Sequence, residues 1–369
     1  MNPLVELHAY GQSFWYDNIR RKFLNDGTLR GLIDDDGLRG MTSNPAIFQK
    51  AIGGSDDYDT QIKSLIDDGV TDSMTIYETL ALADIQAACD LFANLYKESN
   101  GGDGFVSLEV SPNLARDTEG TIAEARRLHK AVDRENIMIK VPATPEGIPA
   151  IEQLISDGIN VNITLMFSMA HYEAVANAYI KGLAKLLENG GNPQKVASVA
   201  SFFVSRVDAA VDKKLAALED TAASALTGKV AIANSKVVYQ RFKEIFHGEA
   251  FAKLQSAGAA RQRLLWASTS TKNPDFPETL YIDTLIGPET VNTIPPKTVD
   301  AFRAKGTVGN TLEDNVENAQ LVLDNLAELQ IDLDEITEQL QVEGVDKFIV
   351  AFEDLLNEIT EKRAALESA

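Results

Sequence analysis

Asn136-Ile137-Met138-Ile139-Lys140-Val141-Pro142 is an apolar, partly β-branched run closed by a proline. Proline has no N–H to give to a ladder, so the run reads as a short strand ending at Val141. A strand this apolar is covered on both faces, as in a parallel sheet with helices packed against it. Lys140 therefore sits where an ammonium loses its water. Either a partner neutralises the charge, or the lysine's pKa falls until the amine is neutral. A neutral amine is a nucleophile that condenses with carbonyls to form a Schiff base. The structural alternatives are a lysine snorkelling at a strand end and one paired with a carboxylate.

Outward from this run, short apolar segments alternate with longer amphipathic ones. Strands are expected at Ser13–Asp17, Leu38–Ser43, Phe105–Val110, Ile137–Val141, Asn160–Leu165, Val196–Val204, Arg263–Thr269 and Leu280–Ile286. Helical patterns separate them at Asp56–Asp68, Ser73–Glu98, Asp117–Asp133, Ile148–Asp157, Ser168–Glu188, Arg206–Leu218 and Lys229–Phe246. Only helical stretches follow: Lys297–Lys305, Leu312–Glu328 and Val345–Leu366. Eight strands alternating with helices predict the α/β class and a (β/α)8 barrel, the TIM-barrel fold, with additional C-terminal helices. The rival is an open doubly wound sheet, but no Gly-rich phosphate fingerprint follows the first strand. No linker divides the chain, so residues 1–369 read as one barrel domain with a helical elaboration from about residue 290. Asp34-Asp35-Asp36 reads as a solvated turn, and Asp332–Glu338 as a solvated acidic helix face.

Side-chain parity sharpens the barrel reading. Successive strand residues point to opposite faces. Ser107 and Glu109 share a face opposite Val106, Leu108 and Val110. Met138 and Lys140 oppose Ile137, Ile139 and Val141. Asn160, Asn162 and Thr164 share one face; so do Ser13, Trp15 and Asp17, then Thr42 and Asn44, then Ser201 and Phe203. In a parallel barrel the aliphatic faces meet the helices, and the polar ones converge at the C-terminal mouth, where such folds keep their sites. Prolines at Pro45, Pro112 and Pro142 stop strands there and start the loops of the rim.

Bulk properties narrow the partners. The 369 residues carry a net charge of −21, with 34 basic and 55 acidic side chains. No basic run offsets this, so nucleic acid and anionic membranes are not expected partners. The single cysteine, Cys89, lies in a helical stretch and reads as a buried, inert thiol in a reducing compartment. The N-terminus lacks the pattern of a signal peptide and no run approaches a membrane span, so a cytoplasmic location is expected. The four histidines, His8, His129, His171 and His247, are far apart in sequence. His129 and His171 read as surface or capping residues. Neither a metal nor a cofactor is expected.

Five segments together resemble one family. Gly40-Met-Thr-Ser-Asn-Pro-Ala-Ile-Phe48 is similar to the Thr-Ser/Thr-Asn-Pro signature of the transaldolases, and Asn136–Gly147 to their Schiff-base lysine signature. Gly158–Ser168 resembles the strand that follows, and Ala200-Ser-Phe-Phe-Val-Ser-Arg206 the serine–phenylalanine–arginine segment. Gly11–Asp17 resembles the opening strand of the longer subgroup. The matches run in family order from about residue 11 to about residue 290.

The resemblance implies roles. Lys140 forms the Schiff base with a ketose phosphate. Asp17 takes and returns the proton of the donor C4 hydroxyl. Glu109 and Thr164 hold a water that moves protons in imine formation and hydrolysis. Asn44 and Asn162 bind the dihydroxyacetone part. Ser201 contacts substrate, Phe203 shapes the pocket and Arg206 binds phosphate. The segment Trp266–Asn273 departs from the family by lacking a second arginine, and Lys272 with Ser270 would replace it.

The implied activity moves a dihydroxyacetone unit from sedoheptulose 7-phosphate to glyceraldehyde 3-phosphate, giving erythrose 4-phosphate and fructose 6-phosphate. The near alternative is an aldolase that protonates the carbanion and releases dihydroxyacetone; the distant one is a non-catalytic barrel that binds sugar phosphates. Bringing a lysine from ~10.4 to about 7 disfavours the cation by roughly 4 kcal/mol. Burial and a nearby cation such as Arg206 are the expected causes. Monomer and homodimer are both compatible with the sequence.

Overall fold

The structure is a computed structural model that describes residues 2–368, so Met1 and Ala369, the ends of the expected 1–369 unit, lie outside the described residues. Eight parallel strands close into a barrel in sequential order. They are β1 (Gln12–Asp17), β2 (Gly40–Thr42), β3 (Phe105–Glu109), β4 (Ile137–Pro142), β5 (Val161–Met166), β6 (Ser198–Phe203), β7 (Arg263–Ala267) and β8 (Thr290–Ile294). Closure comes from β1 pairing with β8, from Gln12 opposite Thr290 to Tyr16 opposite Ile294.

Seven strands lie where alternation places them. The eighth does not. Leu280–Ile286 is not a strand: Leu280–Asp283 forms a short helix, and the closing strand is Thr290–Ile294. The apolar residues Tyr281, Ile282, Leu285 and Ile286 are all buried, at a spacing that a helical turn satisfies equally well. The true strand hides behind polar letters. Thr290 and Asn292 are fully buried because Gln12 donates to the Thr290 hydroxyl (2.9 Å) and Thr269 to the Asn292 carbonyl (3.0 Å).

The helices used below are α1 (Pro45–Ile52), α2 (Ser73–Glu98), α3 (Met169–Glu188), α4 (Ser205–Ala216), α5 (Pro296–Lys305) and α6 (Leu333–Glu367). Asn44 caps α1 through its side chain, which accepts from the Ile47 N–H, and Pro45 takes the first helical position. That accounts structurally for Asn-Pro after β2. Cys89 is buried in α2, where desolvation pushes its thiol up to about 12, as expected of an inert thiol.

Helix α6 begins twelve residues earlier than the expected Val345, at Leu333. Asp332 is its N-cap and Ile336 is buried, so Asp332–Glu338 is not merely a solvated face. Asp34–Asp36 is likewise not a turn. It ends the helix Thr28–Asp36, and Asp36 is buried against Arg303 of α5 at 2.8 Å. Both segments look solvated because their partners are distant in sequence.

Helix α6 runs back across the barrel. Gln341 is buried and donates to two carbonyls, Ala143 beyond β4 and Leu165 in β5, each at 3.0 Å. Leu165 has φ +63°, which strains a branched side chain, and the register of β5 on β6 shifts around it. Gly344 lets the helix approach: a Cβ there would stand 2.8 Å from Leu165 Cδ2. His171, expected as a surface or capping residue, is buried instead. Its Nε2 lies 2.8 Å from Glu338 of α6, while Ser168 caps α3.

Candidate active site

Parallel pairing sets the site's layer. Glu109 stands opposite Lys140, Lys140 opposite Asn162, and Asp17 opposite Thr42. Register and parity together bring the inward polar groups of β1 to β6 to one level, as expected. Ser13, Trp15 and Asn160 are the exceptions. Asn160 precedes β5 and donates to the Glu135 and Ile137 carbonyls instead. Ser13 and Trp15 share Asp17's face but lie at the opposite end of the barrel, where both donate to Asp103.

Lys140 is buried, with 5% exposure. Its Nζ donates to the Ser43 carbonyl (3.1 Å) and to Glu109 Oε2 (3.2 Å). The group in contact with the lysine is thus a carboxylate, not the cation foreseen from the sequence. Burial raises the Glu109 carboxyl above its ordinary range, opposed by Lys140's charge and hydrogen bond. Burial likewise raises Asp17; Lys140's charge opposes this, as does the hydroxyl of Thr42, which donates to Asp17 Oδ1 at 2.7 Å. Thr42 also shares a hydrogen bond of 2.6 Å with Thr293 of β8. Two desolvated acids therefore flank one amine, and each holds its proton more tightly than it would in water.

Asn162 is fully buried and oriented from both sides. Its amide donates to the Ser107 hydroxyl (3.0 Å), and Ser201 donates to its carbonyl oxygen (2.6 Å). Thr164 is fully buried and its hydroxyl has no partner among the described residues. Arg206, at the start of α4, lies over the Phe203 ring at 5.2 Å, and its Nη1 is buried without a partner among the described residues. Burial lowers the Arg206 guanidinium. Lys272 donates to Ser270 at 2.8 Å, and partial desolvation followed by the Arg206 charge lowers its pKa. Two cations with mutually unfavourable fields and an unused buried donor suit an anionic ligand.

These groups line one cavity of about 670 Å³. Asp17, Asn44, Lys140, Thr164, Ser201, Phe203, Arg206, Ser270 and Lys272 all border it. Glu109 and Asn162 reach it through Lys140 and Ser201. Sequence reasoning left out Thr42 and Thr293, which hold Asp17, and Lys50 on α1 at the rim. Thr42's inward parity was readable; Lys50's position was not. It also left out Phe348 of α6, whose ring centroid is 5.6 Å from Lys140 Nζ. No local pattern links residue 348 to a strand end on the far side of the chain.

Comparison with known proteins places the chain in a family. The family described as Transaldolase/Fructose-6-phosphate aldolase matches residues 14–359. A protein named transaldolase from Trichodesmium erythraeum is 47% identical over 98% of this chain and 97% of its own length. Transaldolase 2 of Nostoc punctiforme is 46% identical over 98% and 97%. The transaldolase of Thiobacillus denitrificans is 46% identical over 97% of this chain and 100% of its own. The chain belongs to the transaldolase family. Transaldolase activity, a transferase reaction, comes with that membership. The transaldolase match continues beyond the residue 290 reached by the recognised motifs and takes in most of α6.

Proposed function

We propose that Lys140 is the Schiff-base residue of a transaldolase that moves a dihydroxyacetone unit between sugar phosphates. The supporting observation is a buried amine hydrogen-bonded to a carboxyl whose own ionisation is disfavoured. Burial disfavours the Glu109 carboxylate, which is placed 3.2 Å from Nζ to take a proton from the lysine and leave a nucleophilic amine. The amine adds to C2 of sedoheptulose 7-phosphate, and loss of water gives the iminium. Glu109 and a water held at the Thr164 hydroxyl carry the protons of that step.

Asp17 then takes the C4 hydroxyl proton. The C3–C4 bond breaks, its electron pair passes to C3 and into the iminium, and erythrose 4-phosphate leaves. The upward shift that burial gives Asp17 suits a group that must accept a proton and return it. Asn44 and Asn162 hydrogen-bond the retained three-carbon unit, and Ser201 orients Asn162. Arg206, with Lys272 and Ser270, holds the phosphate. Glyceraldehyde 3-phosphate then accepts the carbanion, Asp17 returns its proton, and hydrolysis frees fructose 6-phosphate. The barrel and α6 act as one unit, in the cytoplasm. The single cysteine supports that location, and no described helix is long and apolar enough to cross a membrane.

The test is reductive trapping. Borohydride with fructose 6-phosphate is expected to add a reduced three-carbon or six-carbon unit to Lys140, located by peptide mass analysis. An unmodified Lys140 in protein that binds the sugar phosphate would leave the non-catalytic barrel as the reading.

A further inference from the structure

We propose that Phe348 is the roof that keeps water off the three-carbon intermediate and so commits the enzyme to transfer over release. The inference rests on the reading of Lys140 as the Schiff-base residue. Phe348 is 7% exposed, and among the described residues it is the one side chain that α6 contributes to the Lys140 cavity. Lys140 Nζ has two hydrogen-bond acceptors, Ser43 O at 3.1 Å and Glu109 at 3.2 Å, and the Phe348 ring is centred 5.6 Å from the same nitrogen. The ring therefore stands beside the amine in the wall of the cavity that Lys140 borders.

Bond lengths bring the ring to the reacting atom. In the intermediate C2 is bonded to Nζ and C3 to C2, so C3 lies within roughly 2.5 Å of the nitrogen. A ring centred 5.6 Å from that nitrogen meets a C2–C3 unit that extends towards it. Its π face attracts the cationic iminium and has no proton to give to C3. The polar residues of the same cavity, Asp17, Thr42 and Thr164, are where protons are handled. The roof is also held still. Phe352, one turn on, meets the Tyr77 ring edge-on at 5.4 Å, and Tyr77 meets Phe48 at 5.8 Å. Gln341, two turns back, is tied to two barrel carbonyls.

The competing reaction is balanced without any other reagent. After C3–C4 cleavage, a water donates a proton to C3, and the hydroxide left behind takes the proton that Asp17 removed from the C4 oxygen. Hydrolysis of the iminium then returns the water lost on its formation and frees dihydroxyacetone and the amine. Only access of water to C3 separates this outcome from transfer.

The experiment compares two rates on fructose 6-phosphate: transfer to erythrose 4-phosphate, and release of free dihydroxyacetone with no acceptor present. Phe348→Ala is expected to raise the release-to-transfer ratio at least tenfold. Phe348→Leu, which keeps an apolar cover, is expected to stay within threefold of the parent ratio. Phe348→Gln, which keeps bulk and admits hydrogen-bonded water, replaces the alanine variant should that fold poorly, with the same tenfold rise expected. An unchanged ratio in the alanine or glutamine variant, or a leucine variant as leaky as alanine, overturns the inference. Borohydride trapping separates the two readings. If the parent protein is not trapped at Lys140, the functional reading fails and this inference falls with it. If the parent is trapped and transfers normally but the variants keep its ratio, only the role of Phe348 fails.

Discussion

At the lower end of the barrel, Asp103 accepts from Ser13 (2.9 Å), Trp15 (3.3 Å), Arg39 (2.6 Å) and Arg263 (3.0 Å). At the upper end, Asp17 accepts one hydroxyl from Thr42, while Thr164 and Arg206 keep polar atoms with no partner among the described residues. Burial acts on both aspartates and would raise each. At Asp103 the charges of Arg263 and Arg39 overcome it and hold the carboxyl below its ordinary range; at Asp17 nothing does. The lower network is satisfied within the protein and holds the barrel closed. The upper one is left to be completed by a ligand. Proteins concentrate such strain where they work.

Substitution of Lys140 tests the upper end most severely. Lys140→Ala is expected to lower transfer by more than about 10⁴-fold and to abolish borohydride trapping, with the folded state retained on circular dichroism. Asp17→Asn is expected to lower kcat by roughly 10²–10⁴-fold while trapping at Lys140 persists, since the imine forms before the C4 proton moves. A variant that transfers normally would remove Asp17 from the chemistry.

The lower end answers in stability. Asp103→Ala strands two arginines and is expected to lower unfolding free energy by about 3–5 kcal/mol in urea titration, with trapping intact in the folded fraction. Because the folded pKa of Asp103 is depressed, its contribution is present above the unfolded value near ~3.9 and fades as pH falls below it. Asp17 has the opposite sign. Its raised folded pKa makes its ionised form unfavourable once pH climbs past the unfolded value. Asp17→Asn is therefore expected to raise the melting temperature by roughly 2 °C at pH 7 and to lose that gain near pH 3. Equal melting at both pH values would erase the contrast between the two ends.

The smallest expected effect is none. The histidines sit apart, with His171 on Glu338, His247 on Glu289 and His8 at the lower end. Activity is expected to survive EDTA; complete, zinc-reversible loss would overturn the Schiff-base reading.

How far these properties could be read from the sequence depended on how locally each is encoded. Parity on β3, β4 and β5 exposed Glu109, Lys140, Asn162 and Thr164, because strand alternation is written in consecutive letters. The closing strand Thr290–Ile294 escaped, since hydropathy cannot register a threonine hydroxyl and an asparagine carbonyl that accept from Gln12 and Thr269. The Lys140 environment was half legible. Burial followed from the apolar run, whereas its contact with Glu109 required the β3–β4 register. Gly40 shows the same division. The motif Gly-Met-Thr-Ser-Asn-Pro is readable as a signature, but its glycine is needed because a Cβ would come within 2.5 Å of the Trp15 indole.

Helix α6 also bears on the order of synthesis. The ribosome delivers Lys140 and every strand long before it delivers Gln341 and Phe348. A nascent barrel that closed early would hold an unroofed amine, open to any passing carbonyl. On the proposed reading, a helix that emerges after all eight strands roofs the reaction chamber, so the barrel can be assembled well before it is safe to use.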